Sequence, residues 1–212
     1  MKSANIEAKA LALYAVTDRR WLKGASLASA VEKALQGGIT CLQLREKNLP
    51  YEELLATAQQ LKKLCQQYHV PFIIDDNLEI ALACDADGLH IGQKDMPAAQ
   101  ARKLLGPNKI LGVSAQTVEQ AITACRDGAD YLGVGAVFPT GTKTDAVVVS
   151  PSTLKAITTA VDIPVVAIGG ITAANISQLQ NTGIAGAAVV SAIFAQKNIQ
   201  RAVADLQRSL IL

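Results

Sequence analysis

The chain has 212 residues, 50% of them apolar and 18% charged, with 20 Lys plus Arg against 18 Asp plus Glu for a formal net charge of +2. These values exclude a disordered chain, a strongly basic nucleic-acid binder and, with four cysteines in this length, a disulfide mini-protein. The size suits one domain or a tight pair, and eight βα units would receive about 26 residues each, enough for a strand, a helix and two short loops.

In chain order, short apolar runs bounded by Gly, Asp and Pro alternate with longer stretches of helical period. Strands are predicted over residues 13–17, 40–45, 71–75, 88–92, 110–115, 131–137, 165–170 and 186–191. Helices are predicted over 27–35, 51–68, 78–83, 98–105, 118–126, 152–161, 174–180 and 199–210. Most of the strand runs are continuously apolar, as parallel strands covered on both faces are. No run reaches the roughly 18 residues of a membrane span, and the interspersed charges of residues 1–9 do not make the apolar segment of an export signal. A soluble cytoplasmic protein is expected. None of Cys41, Cys65, Cys84 and Cys125 has C-x-x-C spacing, so they read as reduced core residues.

A recurring phrase lies four times between a helix and the next strand: Gln36-Gly37-Gly38-Ile39-Thr40, Cys84-Asp85-Ala86-Asp87-Gly88, Arg126-Asp127-Gly128-Ala129-Asp130 and Thr182-Gly183-Ile184-Ala185-Gly186. Gly after a helix takes the left-handed cap conformation, so these read as αβ turns. The alternation permits an open doubly wound sheet or a closed barrel. Near-equal spacing without a linker favours a single-domain (β/α)8 TIM barrel over residues 1–212, as does Thr17-Asp18-Arg19-Arg20 in place of a Gly-rich dinucleotide loop.

In such a barrel the chemistry belongs at the C-terminal strand ends. Those ends read Thr17-Asp18, Gln43-Leu44-Arg45-Glu46-Lys47, Asp75-Asp76-Asn77, Gly92-Gln93-Lys94-Asp95, Ser114-Ala115-Gln116, Pro139-Thr140-Gly141-Thr142-Lys143, Gly169-Gly170-Ile171-Thr172 and Val190-Ser191. Three subsets differ in kind. Asp75, Asp76 and Asp95 offer the oxygen-only donors that Mg²⁺ takes while keeping positions for water and phosphate. The same residues also suit helix caps, Asp76 or Asn77 before Leu78 and Asp95 before Pro97. Arg45, Lys47 and Lys143 are cations beside a single acid, Glu46, which suits a substrate rich in phosphate oxygens or simply a solvated rim. The loops at Gly169-Gly170 and Val190-Ser191 are where barrels hold a phosphate on bare N–H groups, unless the glycines serve only a tight turn. Together these describe a polyphosphate site with Mg²⁺ on strands two to six and a monophosphate site on strands seven and eight. The chemistry suggested is displacement of pyrophosphate from one substrate by a second, phosphorylated one. His90, alternating with apolar neighbours inside a strand, reads as a packed barrel residue, and His69 as a surface residue at a helix end.

Gln43-Leu44-Arg45-Glu46-Lys47, Gly88-Leu89-His90-Ile91-Gly92-Gln93-Lys94-Asp95, Gly112-Val113-Ser114, Gly128-Ala129-Asp130-Tyr131 with Thr140-Gly141-Thr142-Lys143, and Ala167-Ile168-Gly169-Gly170-Ile171 together resemble the thiamine-phosphate synthase family, in order over nearly the whole chain. The resemblance implies a (β/α)8 barrel joining a hydroxymethylpyrimidine diphosphate to a carboxylated or decarboxylated thiazole phosphate, with Mg²⁺, to give thiamine phosphate and pyrophosphate. It implies that Gln43, Arg45, Glu46, Lys47, Asp75, Ser114 and Lys143 bind the pyrimidine diphosphate, with Arg45, Lys47, Ser114 and Lys143 catalytic. It further implies Asp76 and Asp95 as Mg²⁺ ligands, and Thr140, Gly141, Thr142, Gly170, Val190 and Ser191 around the thiazole phosphate. The implied reaction is dissociative, with pyrophosphate leaving before the thiazole nitrogen attacks, and needs no protein nucleophile. Asp75 departs from the pattern, where the family most often has Asn. An ionised carboxylate there donates no hydrogen bond and adds negative charge beside a diphosphate.

Two other readings stand beside this one. A thiazole tautomerase of the same superfamily needs a proton-transferring group after the fifth strand, where this chain has Gln116. A non-catalytic binding protein of the thiamine pathway is encouraged only by Asp75. Expected partners are the two small substrates, with neither nucleic acid nor membrane. Residues 140–149, with few helix signals, read as a candidate loop over the site.

Overall fold

The computed structural model describes residues 6–22, 24–141 and 148–210. Its strands are β1 (Leu13–Val16), β2 (Cys41–Leu44), β3 (Phe72–Asp75), β4 (Gly88–Ile91), β5 (Ile110–Ala115), β6 (Tyr131–Gly135), β7 (Val165–Ile168) and β8 (Gly186–Val189). They pair in parallel in chain order, and β1 closes on β8 with Tyr14 beside Ala188, so the sheet is a closed barrel. Around it, among the described residues, lie α1 (Leu27–Gly37), α2 (Tyr51–Gln67), α3 (Leu78–Ala83), α4 (Ala98–Leu105), α5 (Val118–Arg126), α6 (Pro151–Ala160), α7 (Ser191–Phe194) and α8 (Ile199–Ser209). No helix among those residues is long and apolar enough to cross a membrane.

Local chemistry accounts for the helix starts. Ser26, Asn77, Thr117, Ser150 and Asn198 each accept the N–H three residues on, at the N-termini of α1, α3, α5, α6 and α8. This satisfies one of the donors a helix start leaves open. The helix expected over 174–180 is instead a 3₁₀ turn, Ile176–Leu179. Asn175 bonds backward to the Thr172 N–H at 2.8 Å and the Gly170 C=O at 2.9 Å, closing the chain on itself, and only Ile176 and Leu179 are buried, too short a stripe for an α-helix. The eighth strand stops at Val189, because Val190 turns and Ser191 opens α7, a four-residue helix that the apolar pattern of residues 186–191 concealed.

Alternation sorts the strand residues into two cores. Leu13, Ala15, Leu42, Leu44, Phe72, Ile74, Leu89, Ile91, Leu132 and Val134 pack outward against the helices. Tyr14, Val16, Cys41, Ile73, Tyr131, Val166 and Ala188 fill the barrel, with Ile6 and Leu11 at its N-terminal mouth. The interior admits Tyr14 and Tyr131, both 2% exposed or less, because neighbouring positions carry no side chain. A Cβ on Gly112 would run into the Tyr131 ring and the His90 Nδ1, and one on Gly133 would lie 3.0 Å from His90 Cε1.

The N-terminal rim is tied by two aspartates. Asp87 accepts the N–H of Phe72 at 2.8 Å and pairs with Lys62 at 2.6 Å. Asp130 accepts the N–H of Leu111 at 2.8 Å and pairs with Arg102 at 2.5 Å, and Arg102 also caps the carbonyls of Gly106, Lys109 and Gly128. Each carboxylate thus joins the start of one strand to the turn that enters the next.

Gly112→Ala overpacks the interior and is expected to cost about 1–3 kcal/mol, read as a lower urea midpoint at unchanged slope. A wild-type midpoint would show that Tyr131 and His90 withdraw freely.

Candidate functional site

The C-terminal ends of β2, β3 and β4 gather a compact charge cluster. Lys47 Nζ lies 2.8 Å from Asp75 Oδ2 and also pairs with Asp76, while Arg45 Nε is 3.8 Å from the same Asp75 oxygen. Asp75 therefore faces cations, which accounts for a carboxylate at this position. Asp76 sits in the left-handed region at φ 51°, its N–H bonded to the His90 carbonyl at 2.8 Å. Asn77 takes the helix cap by accepting the Ile80 N–H at 2.9 Å, which leaves the Asp76 carboxylate to the site. Asp95 does not cap α4 either, since its Oδ2 accepts the Gly92 N–H at 2.6 Å within its own loop.

The cluster is electrostatically strained. Burial pushes the Asp76 carboxyl above its usual range and the charges of Asp75 and Asp95 push it further, against the opposing Lys47. For Lys47, burial favours the neutral amine, but hydrogen bonds to Asp75 and Asp76 outweigh it and raise the pKa. Glu46 accepts from Arg19 Nε at 2.6 Å, tying the end of β2 to the 3₁₀ turn Arg19–Trp21. Its carboxyl is raised by burial, with Arg19 only partly offsetting. Asp18 is likewise penalised by burial, yet hydrogen bonds from Arg20 hold it below the usual carboxylate range.

Gln43 and Ser114, on β2 and β5, stand at the two ends of a chain of hydrogen bonds through the barrel. Gln43 Nε2 donates to Tyr14 Oη at 3.0 Å, the Tyr14 and Tyr131 oxygens are 2.8 Å apart, and His90 Nδ1 lies 3.0 Å from Tyr131 Oη. His90 Nε2 is 2.9 Å from Ser114 Oγ, and Gln93 Nε2 donates to the Ser114 carbonyl at 2.6 Å. Burial, with a smaller contribution from Lys47, lowers the His90 pKa against the raising effect of Asp75 and Asp95 and so favours the neutral imidazole. Gln116 donates to the Gly135 carbonyl at 3.3 Å, and an amide carries no acid–base chemistry.

The remaining predicted residues lie at the ends of β6, β7 and β8. Val137 and Phe138 donate to the carbonyls of Ile168 and Gly169 at 2.9 and 3.1 Å, zipping the two loops together. Gly169 and Gly170 have φ of 102° and 65°, and a Cβ on Gly170 would come within 2.8 Å of Phe138 Cβ, so both left-handed geometry and close approach require glycine there. Thr140 and Gly141 follow in this loop, and Val190 and Ser191 open α7, whose first N–H groups have no partner within the helix. Thr142 and Lys143, with most of the candidate loop over the site, lie outside the described residues. Arg19, Tyr14 and Tyr131 were not singled out by the rim pattern. The phenols had one legible signal, since a Tyr inside an apolar strand needs a polar partner for its hydroxyl.

A family model described as "Thiamine monophosphate synthase" matches residues 13–193. The thiamine-phosphate synthase of Clostridium tetani is 52% identical over 194 residues, 92% of this chain and 93% of that protein. That of Ruminiclostridium cellulolyticum is 53% identical over 194 residues, 92% of each. Among solved structures, the thiamine phosphate pyrophosphorylase from Pyrococcus furiosus superposes with a TM-score of 0.89 at 40% identity, covering 96% of both chains.

Asp75→Asn removes the carboxylate that occupies Lys47 and Arg45. Inorganic pyrophosphate should then bind about tenfold more tightly, ~1.4 kcal/mol, by titration calorimetry. Unchanged or weaker binding would show that Asp75 does not compete with an anion.

Proposed function

The chain belongs to the thiamine monophosphate synthase family and has that family's transferase activity, and from this premise we propose how its strand-end rim divides the work. Gln43, Arg45, Lys47, Ser114 and Lys143 bind a pyrimidine methylene diphosphate, with Asp75 at the same site holding Lys47 and Arg45 until the diphosphate takes them over and Glu46 contributing through its hold on Arg19. Thr140, Gly141, Thr142, Gly170, Val190 and Ser191 receive the phosphate of the thiazole. The observation that carries this reading is the cluster of Lys47 with Asp75 and Asp76 beside Arg45, cations and carboxylates packed where a polyphosphate and a divalent cation would be exchanged.

The donor chemistry fits Mg²⁺. Asp76 and Asp95 supply hard oxygens, the Asp95 charge being felt at Asp76, and no group of three or more His, Cys, Asp or Glu arranged to hold a metal occurs among the described residues. Two carboxylates completed by substrate oxygens and water is the usual Mg²⁺ arrangement. Asp76 and Asp95 would hold the ion, which when bound would supply positive charge against the negative charge growing on the departing diphosphate.

In the reaction we assign to these residues, the bond from the pyrimidine methylene carbon to the diphosphate oxygen breaks with its electron pair going to oxygen. The ring nitrogen of the thiazole then bonds to the methylene cation. Arg45, Lys47 and Lys143 stabilise the negative charge that increases on the leaving group, and the loops after β6, β7 and β8 hold the second substrate by its phosphate, supplying proximity. No side chain need act as nucleophile. The partners on this reading are two small phosphorylated molecules, the domain spans residues 1–212, and the four free thiols suit a cytoplasmic location.

With both substrates and Mg²⁺ the protein should release pyrophosphate and form thiamine phosphate. Tight ligand binding without product would favour a binding role. The double variant Asp76→Ala with Asp95→Ala should lose about a hundredfold or more in kcat/KM, and wild-type turnover by that variant would remove the metal role assigned here.

A further inference from the structure

The barrel interior holds a continuous polar chain that the reaction as described does not use. Tyr14 and Tyr131 are fully enclosed, and His90 is 9% exposed, so the three are largely withdrawn from bulk water. Their hydrogen bonds nevertheless run from Gln43 on one side of the rim to Ser114 on the other.

Counting protons gives this chain a direction. A phenol has one proton, and Tyr14 Oη already receives the Gln43 N–H, so the Tyr14 proton must go to another acceptor. The Cys41 thiol beside it is a weak acceptor, whereas Tyr131 Oη lies at 2.8 Å. Tyr131, having accepted, gives its own proton to His90 Nδ1. A neutral imidazole with Nδ1 as acceptor carries its proton on Nε2, which donates to Ser114 Oγ. The Ser114 hydroxyl is then left with its proton pointing away from the histidine, and its residue stands half-buried at the strand end, backbone fixed by Gln93. In the reverse direction the Tyr131 O–H and the Gln43 N–H would both point at Tyr14 Oη, and the Tyr14 proton would have only the Cys41 sulfur to receive it.

We infer that Tyr14, Tyr131 and His90 are positioning residues for the transfer reaction, a one-way hydrogen-bond array that presents Ser114 to the pyrimidine diphosphate as a hydrogen-bond donor and fixes the amide of Gln43. The inference rests on the proposed reading of Gln43 and Ser114 as ligands of that substrate. It assigns the acceptor they meet as a lone pair on a ring nitrogen or phosphate oxygen, with the proton supplied by the protein. None of the three interior residues contacts the substrate; they act through the two that do.

The chain contains two histidines, His69 and His90, so a ¹⁵N-histidine-labelled sample gives two sets of ring signals. In the substrate-free protein His90 should show the Nε2–H tautomer, and the Nδ1–H tautomer would overturn the array. Tyr131→Phe keeps the ring and removes two links. It should lower kcat about tenfold while leaving KM for the thiazole phosphate unchanged. Ser114→Ala should cost at least as much, and adding Tyr131→Phe to it should cause no further loss, since the array acts through that hydroxyl. Losses that multiply in the double variant would show a merely structural role and sink the proposal. The tautomer is read without turnover, so absence of product from the wild-type protein would count against the functional reading and leave the array to be decided by the NMR result.

Discussion

An eight-stranded barrel has an interior just wide enough for side chains to fill it, and in this chain that narrowness governs the rest. Two tyrosines and a histidine occupy the lumen because Gly112 and Gly133 leave space for them. Once the rings are inside, burial takes their polar atoms out of bulk water, and they bond to one another. The plug fills the barrel interior and reaches two of the strand ends through Gln43 and Ser114. Packing in the lumen and chemistry at the rim are thus parts of one arrangement.

At the rim the governing term is charge in partial burial. Cations and carboxylates from three adjacent strands hold one another in check, and Asp76 shows the tension most plainly, pushed up by burial and by two like charges while a single ammonium opposes them. Such a cluster is neutral enough to fold and polar enough to be rearranged by an arriving anion. The near-zero net charge of the whole chain averages over this local separation and says little about the substrate.

Much of the architecture was legible because parallel strands buried on both faces and capped helices leave separate marks: continuous apolar runs, and Ser, Thr or Asn three residues before a helical N–H. All eight strands were found, with ends longer by one or two residues where the chain leaves the ladder before its apolar character fades. The choice between Asp76 and Asn77 as cap was open to pattern alone, and three-dimensional geometry resolves it through the left-handed backbone at Asp76. The 3₁₀ turn at Ile176–Leu179 and the four-residue helix at Ser191 are too short to leave a periodic signal. The interior array was the least legible part. Its members are separated by up to 117 residues, and nothing local says that Tyr14 and Tyr131 share a layer.

The aspartate ties on the opposite rim bear on how such a chain assembles. Asp87 reaches back 15 residues to Phe72 and Asp130 reaches back 19 to Leu111, so each closes a strand–helix–strand segment by local contact. Closing loops of that length costs little chain entropy compared with bringing Leu13 beside Ala187. The sheet can therefore grow one neighbour at a time from units that are already tied, and the seam between β1 and β8 is the step with the longest loop to close. Tyr14 on one edge of that seam meets Tyr131 only when the two ends of the sheet come round. The hydrogen-bond array is accordingly a record of completed closure, and a chain stalled with its seam open would lack it.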